Sequence, residues 1–187
     1  MPKKLKGKEW YTLIAPKVFG EKEIGETPAS DEKLLIGRRV ETNLMNLTDD
    51  LSKYYIKFYF RVKSVKEGKA FTEFDGLECL RDYISRFIRY RVRRIDTIQD
   101  LKTKDGKKLR VKTITITSKK IKRNVERDLK KFVENVMKKE VESNDLDEFI
   151  KRIVDNRIKN YILNQGSKIY PIRVFEIRKV ETLSKNQ

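Results

Sequence analysis

The stretch KYYIKFYFRVKSV, Lys53 to Val65, constrains the fold more than any other part of the chain. Ile56, Phe58, Phe60 and Val62 alternate with Tyr55, Lys57, Tyr59, Arg61 and Lys63. That is the two-residue period of a strand with one buried face. Such a face cannot be buried by one strand alone, so it demands neighbouring strands and a covering layer. The turn KEGK follows, and AFTEF after it is expected to pair back as a hairpin.

Other segments fit the same plan. EWYTLIAP reads as a short strand stopped by Pro16, and IGRRVETNLMNL alternates Val40, Thr42 and Leu44 against Arg39, Glu41 and Asn43. RIDTIQDLKT and KKLRVKTITITS flank KDGK, a hairpin signal centred on Asp105-Gly106. The apolar phase shifts between Val111 and Ile114, which predicts a bulge or a change of face. SKIYPIRVFEIRKVETL is a final strand with apolar residues on both faces. VFGEKEIGETPASDEK has few apolar residues and reads as a surface loop.

Helical periodicity appears in four places. Leu80, Ile84, Phe87 and Ile88 form a stripe that predicts a helix near 78–92. Val125, Leu129, Phe132 and Val136 mark a second helix. Ser143 or Asn144 can cap a third carrying Leu146, Phe149, Ile150 and Ile153, and Asp155 a further short one ending near Gly166. The expected fold is α+β: a curved or barrel-like, mostly antiparallel β-sheet body with an internal helix and a C-terminal helical block, the last strand rejoining the sheet. The expected organisation is a single domain over 1–187. It comprises a basic mobile N-terminus (1–8), a β-rich body (9–118), the helical block (119–165) and the final strand (167–183).

Charge then narrows the function. The chain has 187 residues, with 45 Lys and Arg against 28 Asp and Glu, a net charge of +17. An excess of that size speaks about partners rather than fold, and a polyanion is the natural partner. Nucleic acid comes first because the bases are spread along the chain; a membrane surface comes second. No apolar run approaches the ~20 residues of a spanning helix. MPKKLKGKEWYTLIAP lacks the apolar core of a signal peptide, so the expectation is an intracellular protein. Cys79 is the single cysteine and can form no internal disulfide. The absence of histidine excludes histidine metal ligands, histidine bases and Ser-His-Asp or Cys-His nucleophiles. No GxxxxGK[ST] loop is present. No cofactor and no small-molecule substrate are expected.

RDYISRFIRYRVRR, Arg81 to Arg94, holds six arginines and one acid. On a helix, Arg86, Arg89 and Arg93 would share the face opposite the apolar stripe, with Arg94 just beyond. Arg91 would fall on the apolar side, so the helix ends before it or its stem snorkels. Guanidinium forks suit phosphate oxygens and position a protein on nucleic acid without reading its sequence. The plainer alternative is a solvated face. The strand face of Tyr55, Lys57, Tyr59 and Arg61 interleaves aromatics with cations, as base-stacking surfaces do. It could equally cover a second hydrophobic layer. Lys119, Lys120, Lys122 and Arg123 lie where a helix begins, a position that disfavours cations unless an anion docks there. The alternative is a flexible basic linker. EVESNDLDEFIKRIVD, Glu140 to Asp155, has six acids against two bases. Asp145, Asp147 and Glu148 could cap helix starts, face a basic protein neighbour or hold magnesium. No spacing matches an EF-hand or a two-metal nuclease, so no metal or catalytic residue is assigned. Cys79 reads as a small buried group.

The blocks KEWYTLIAPKVFGEKEIGET, EFDGLECLRDYISR, TKDGKKLRVKTITIT, MKKEVESNDLDEF and IYPIRVFEIRKVETL occur in that order. Together, from about Lys8 to Leu183, they resemble the archaeal and eukaryotic small-subunit ribosomal protein family eS-one, also called S-three-A-e. The resemblance implies a β-barrel-like body with packed helices and a structural, non-catalytic protein. It further implies a cytoplasmic location on the platform of the small ribosomal subunit, near the messenger exit region. There the partners would be small-subunit ribosomal RNA and neighbouring ribosomal proteins, with no membrane involved. The long terminal extensions of eukaryotic members are lacking, so the expected type is archaeal. A free RNA-binding or RNA-chaperone accessory protein would show the same composition, and a magnesium-dependent nuclease is a remote third reading.

Overall fold

Phe58 and Phe60 have no solvent exposure, and the first part of the chain is built around them. The computed structural model describes residues 7–183, and it divides into two compact units, Met1–Leu77 and Glu78–Gln187. Most of the expected mobile N-terminus, residues 1–6, lies outside the described residues.

The first unit contains β1 (Glu9–Ile14), β2 (Glu23–Ala29), β3 (Arg39–Asn43), α1 (Leu44–Thr48), β4 (Ile56–Lys66) and most of β5 (Lys69–Cys79). On β4 the alternation is as expected: Ile56, Phe58, Phe60 and Val62 are all buried. Phe19 and Phe74 meet Phe58 edge-on, with ring centroids 5.2 and 5.9 Å away. Tyr11, Leu13, Ala29, Leu35, Val62 and Ala70 form the adjoining apolar cluster. The β4–β5 hairpin turns on Glu67 and Gly68, both at positive φ, the conformation that two-residue hairpins favour.

β2 corrects the expected surface loop. It runs antiparallel to β1 from Glu9↔Ala29 to Ile14↔Glu23. Its partner's ladder holds it in place, and only Thr27 and Ala29 are buried, so there was little apolar periodicity to detect. As an end strand it tolerates Pro28, which cannot donate to a ladder. β1 is parallel to β5, while β3 is antiparallel to β4. Among the described residues no ladder joins β2 to β3, so the mixed sheet stays open and does not close into a barrel.

The second unit contains α2 (Arg81–Ser85), β6 (Arg94–Lys102), β7 (Lys108–Thr117), α3 (Arg123–Ser143), α4 (Leu146–Val154), α5 (Arg157–Gly166) and β8 (Ile172–Thr182). β6 and β7 form the expected hairpin, with Gly106 at φ 86° in its turn. The last strand, β8, joins the sheet antiparallel to β7, and the register slips between Lys112 and Thr113, where the apolar phase shifts. α3 lies against β6 and α5 against β8. Leu129, Val133 and Met137 of α3, Phe149 and Ile150 of α4, and Ile158 and Ile162 of α5 are buried.

Two caps differ from expectation. Asp145 occupies the N-cap of α4, because the Asn144 amide instead donates to the Glu140 carbonyl at 2.7 Å and closes α3. Asn156, at φ 58°, precedes α5, while the Asp155 carboxylate pairs with Arg157 at 3.2 Å. Gly166 ends α5 for a reason of packing. A Cβ there would come within 2.5 Å of the Ile172 Cδ1 and 3.2 Å of the Phe132 ring.

The aromatic core and the carboxylate on β8 can each be tested. Phe58→Ala removes the ring that Phe19 and Phe74 grip, and is expected to cost about 3–5 kcal/mol in a urea titration. Glu181, held by Lys179 and Lys112 at 2.8 and 2.9 Å, has its carboxyl lowered to about 2 from 4.5. Its contribution is present above the ordinary value and is lost as pH falls through the lowered one. The stability gap between wild type and Glu181→Gln should therefore be full at neutral pH. It should close between pH 4.5 and about 2, as read from urea midpoints.

Candidate nucleic-acid interface

The arginine-rich segment is not the helix its spacing predicts. α2 spans only Arg81–Ser85, and no side chain caps its start. Beyond it the chain tightens: the Phe87 N–H donates to the Ile84 carbonyl and the Ile88 N–H to that of Ser85, both at 3.1 Å. Ile84 alone of the expected stripe is fully buried, and Ile88 is 41% exposed. With one acid, Asp82, among six arginines, the segment itself offers little to offset their repulsion. A second turn closes where the Val92 N–H donates to the Arg89 carbonyl at 3.3 Å, with Arg91 at φ 81°. Arg93 is then stitched to β7. Its N–H donates to the Thr117 Oγ1 at 3.2 Å, and its carbonyl accepts from the Thr117 N–H at 3.0 Å.

Arg86, Arg89 and Arg93 therefore share no helix face. Arg93 pairs with Glu126 of α3 at 2.8 Å, and Arg94 with Asp96 at 2.8 Å, so both are engaged within the fold. Arg86 sits exposed at the end of α2.

What the structure assembles instead is a groove of about 560 Å³ lined by Arg89, Tyr90, Arg91, Val92, Ser118, Lys119, Lys120 and Arg173. Three segments distant in sequence meet there. The 89–92 turn supplies two arginines. The Ser118 N–H donates to the Pro171 carbonyl at 3.1 Å, which brings the lysine loop beside the start of β8 and hence beside Arg173. The Thr117 hydroxyl donates to the Lys119 carbonyl at 2.6 Å and shapes the same loop. The Lys120 ammonium lies 5.1 Å from the centre of the Tyr90 ring. Five cations line this groove and no carboxylate does. Arg89, Arg91, Lys119 and Arg173 have no acidic partner among the described residues. The lysine-loop residues Lys119 and Lys120 belong to the groove, whereas the exposed Lys122 and Arg123 stand at the start of α3 and do not line it. The sequence singles out neither Tyr90 nor Arg173, and it marks Arg91 only as a helix end or a snorkelling stem, not as a binding residue. The run RYRVRR carries a signal for Tyr90 and Arg91, but nothing local marks Arg173.

The strand face of β4 is electrostatically closed. Tyr55 precedes the strand and is only 6% exposed, so it offers no stacking surface. The Arg39 guanidinium lies over the Tyr59 ring, 4.0 Å from its centre. Lys57 pairs with Glu41 at 3.2 Å, Arg61 with Asp75 at 3.0 Å and Lys63 with Glu73 at 3.7 Å.

A second groove, of about 590 Å³, is lined by Arg81, Arg94, Lys112, Arg178 and Lys179 around Ile84 and Ile88. Much of its charge is answered, since Lys112 and Lys179 share Glu181 and Arg94 has Asp96. Beneath it Glu176, 5% exposed, accepts from Lys159 at 2.5 Å and from the Tyr83 hydroxyl at 3.4 Å; burial raises its carboxyl. Burial likewise pushes the Cys79 thiol up to about 12, which makes it a packed group and no nucleophile. Asp145, Asp147 and Glu148 lie at the start of α4, where acids favour the helix dipole, and Glu148 pairs with Arg152 at 3.3 Å. Among the described residues no acid or cysteine cluster could hold a metal ion, and no helix is long and apolar enough to cross a membrane.

Residues 2–186 match the model of the Ribosomal S3Ae family. The small ribosomal subunit protein eS1 of Sulfurisphaera tokodaii is 40% identical over 180 residues, covering 96% of this chain and 93% of that protein. Its namesake in Methanopyrus kandleri is 40% identical over 184 residues, with 96% and 87% covered. That of Saccharolobus islandicus is 39% identical over 180 residues, with 96% and 86% covered. All three relatives are archaeal proteins of the small ribosomal subunit. The chain belongs to the Ribosomal S3Ae family.

Proposed function

We propose that this chain is a structural constituent of the small ribosomal subunit that binds small-subunit ribosomal RNA, and that the 89–92, 118–120 and Arg173 groove is a principal contact. On this reading it lies in the cytoplasm on the platform of the subunit, near the messenger exit region, beside other ribosomal proteins. The observation that carries it is the convergence of five cations with no carboxylate among them, in a family of ribosomal proteins. Phosphate groups entering the groove would supply the missing charge and release their condensed counterions. Arg89, Arg91 and Arg173 can each offer a planar fork to phosphate oxygens, and Lys119 and Lys120 a mobile point charge. Arg93 and Arg94 are held by Glu126 and Asp96, so they act as braces for the groove. Arg86, Lys122 and Arg123 flank it as secondary contacts. Asp145, Asp147 and Glu148 face a basic protein neighbour or solvent.

Replacing Arg89, Arg91, Lys119 and Arg173 together with glutamine should weaken binding to small-subunit ribosomal RNA. The slope of log affinity against log salt should also fall, by roughly 0.7–0.9 for each phosphate that the variant no longer neutralises. Arg93→Gln alone should change that slope little. An unchanged slope in the fourfold variant sinks the groove assignment. Sedimentation of cell extract through sucrose at low and high salt tests the wider reading. Retention on the small subunit after a high-salt wash supports a stable component, whereas release at moderate salt supports a free accessory protein.

A further inference from the structure

We infer that Tyr90 is a stacking platform for an unpaired RNA base, so that the groove selects a single-stranded or bulged segment over a regular duplex. This deepens the preceding proposal and rests on its reading of the groove as an RNA contact.

Tyr90 is 83% exposed, the most open of the large apolar side chains in the described residues. Nearby aromatics do the opposite. Phe87 and Tyr83 turn toward each other, ring centroids 5.1 Å apart and nearly perpendicular, and the Tyr83 hydroxyl reaches Glu176. A tyrosine this open leaves its ring face accessible for another ring to cover. The turn that presents Tyr90 is also strained. Arg91 holds φ 81°, where a β-carbon is crowded and glycine is the usual occupant. An arginine in that position keeps a cation beside the ring at a conformational cost.

The surroundings match a nucleotide rather than an apolar partner. Arg89 and Arg91 flank the ring in the chain, Lys120 lies over one face, and Lys119 and Arg173 complete a rim without acids. A base presents a π-face to the ring while the phosphates on either side of it meet the cations, which is how single strands are held without sequence readout. A regular duplex keeps its bases stacked on one another. It can satisfy the cations with phosphates but cannot offer Tyr90 a free face. The ring therefore adds discrimination between RNA forms where the cations add affinity for both.

The test uses the full chain with two probes at one salt concentration, a short oligoadenylate and a blunt RNA duplex, read by fluorescence anisotropy in competition. Wild type should prefer the single strand. Tyr90→Ala should lose about fivefold or more of its affinity for oligoadenylate and leave duplex affinity unchanged, while Tyr90→Phe keeps the preference. Equal losses on both probes, or none on either, overturn the stacking role. The fourfold glutamine variant separates the two readings. If it loses affinity for both probes while Tyr90→Ala loses nothing, the groove binds RNA and only the stacking role falls. If it too is silent, the groove itself is misassigned.

Discussion

Twenty-eight acids must serve forty-five bases, and where those acids are placed decides where this protein presents its charge. They are not spread evenly. Asp75 alone answers Arg39 at 2.8 Å and Arg61 at 3.0 Å, two arginines that face each other directly across β3 and β4. Like charges in that relation oppose strand pairing, so the carboxylate on β5 removes a local conflict. Glu181 does the same for Lys112 and Lys179, which are opposed across β7 and β8. Glu140 and Glu148 both hold Arg152. Ion pairs at or near the surface each contribute modestly, roughly 0–1 kcal/mol where exposed, so their larger consequence is the field they leave behind. The carboxylates go where strands and helices must pack. The cations of the 89–92 turn, the lysine loop and Arg173 are left unanswered together.

The parts of this arrangement that were legible in the sequence are those fixed by periodic burial. β4 alternates because one face packs on aromatic rings, and α3 shows its stripe because Leu129 and Val136 lie inside, with Val125 and Phe132 part-buried and Val133 and Met137 completing the buried face. The β6–β7 turn could be read from Asp105-Gly106, since glycine supplies the positive φ that the turn requires. β2 was hidden because it is held by the backbone of β1 more than by its own side chains. The 81–94 segment misled for the opposite reason. Its apolar spacing is helical, but only Ile84 is buried, and a short stripe with no side-chain cap and a single acid, Asp82, does not hold a long helix in water. Family resemblance was carried by blocks along the whole chain and identified the protein's kind. It said nothing about which cations were free.

The binding surface was the least legible part, and geometry explains why. Spacing along an element can place residues on one face, as it was used for Arg86, Arg89 and Arg93. It cannot bring Arg173 to Arg91, because that depends on β8 pairing with β7 and on the Ser118–Pro171 hydrogen bond. Nor can it show that Arg93 is spent on Glu126, or that the Tyr59 ring is already covered by Arg39. Counting cations in the sequence overstates the strand face and understates the groove. Only the distribution of partners separates them.

The groove and its unit depend on one another. Glu176 is a buried carboxylate beside Lys159 and Tyr83, so β8, α5 and α2 are tied by a pair that tolerates little displacement. β8 carries both Glu176 and Arg173, and the segment after α2 leads directly into the 89–92 turn. Positions of the groove cations are thus set by a packed, polar-anchored interior rather than by the loops that bear them. Cations held close by such a frame repel one another in the free protein, and the repulsion is relieved when phosphates enter. Binding to a polyanion then favours the folded frame that assembled the groove, because three segments remote in sequence supply its charge only when the unit is folded.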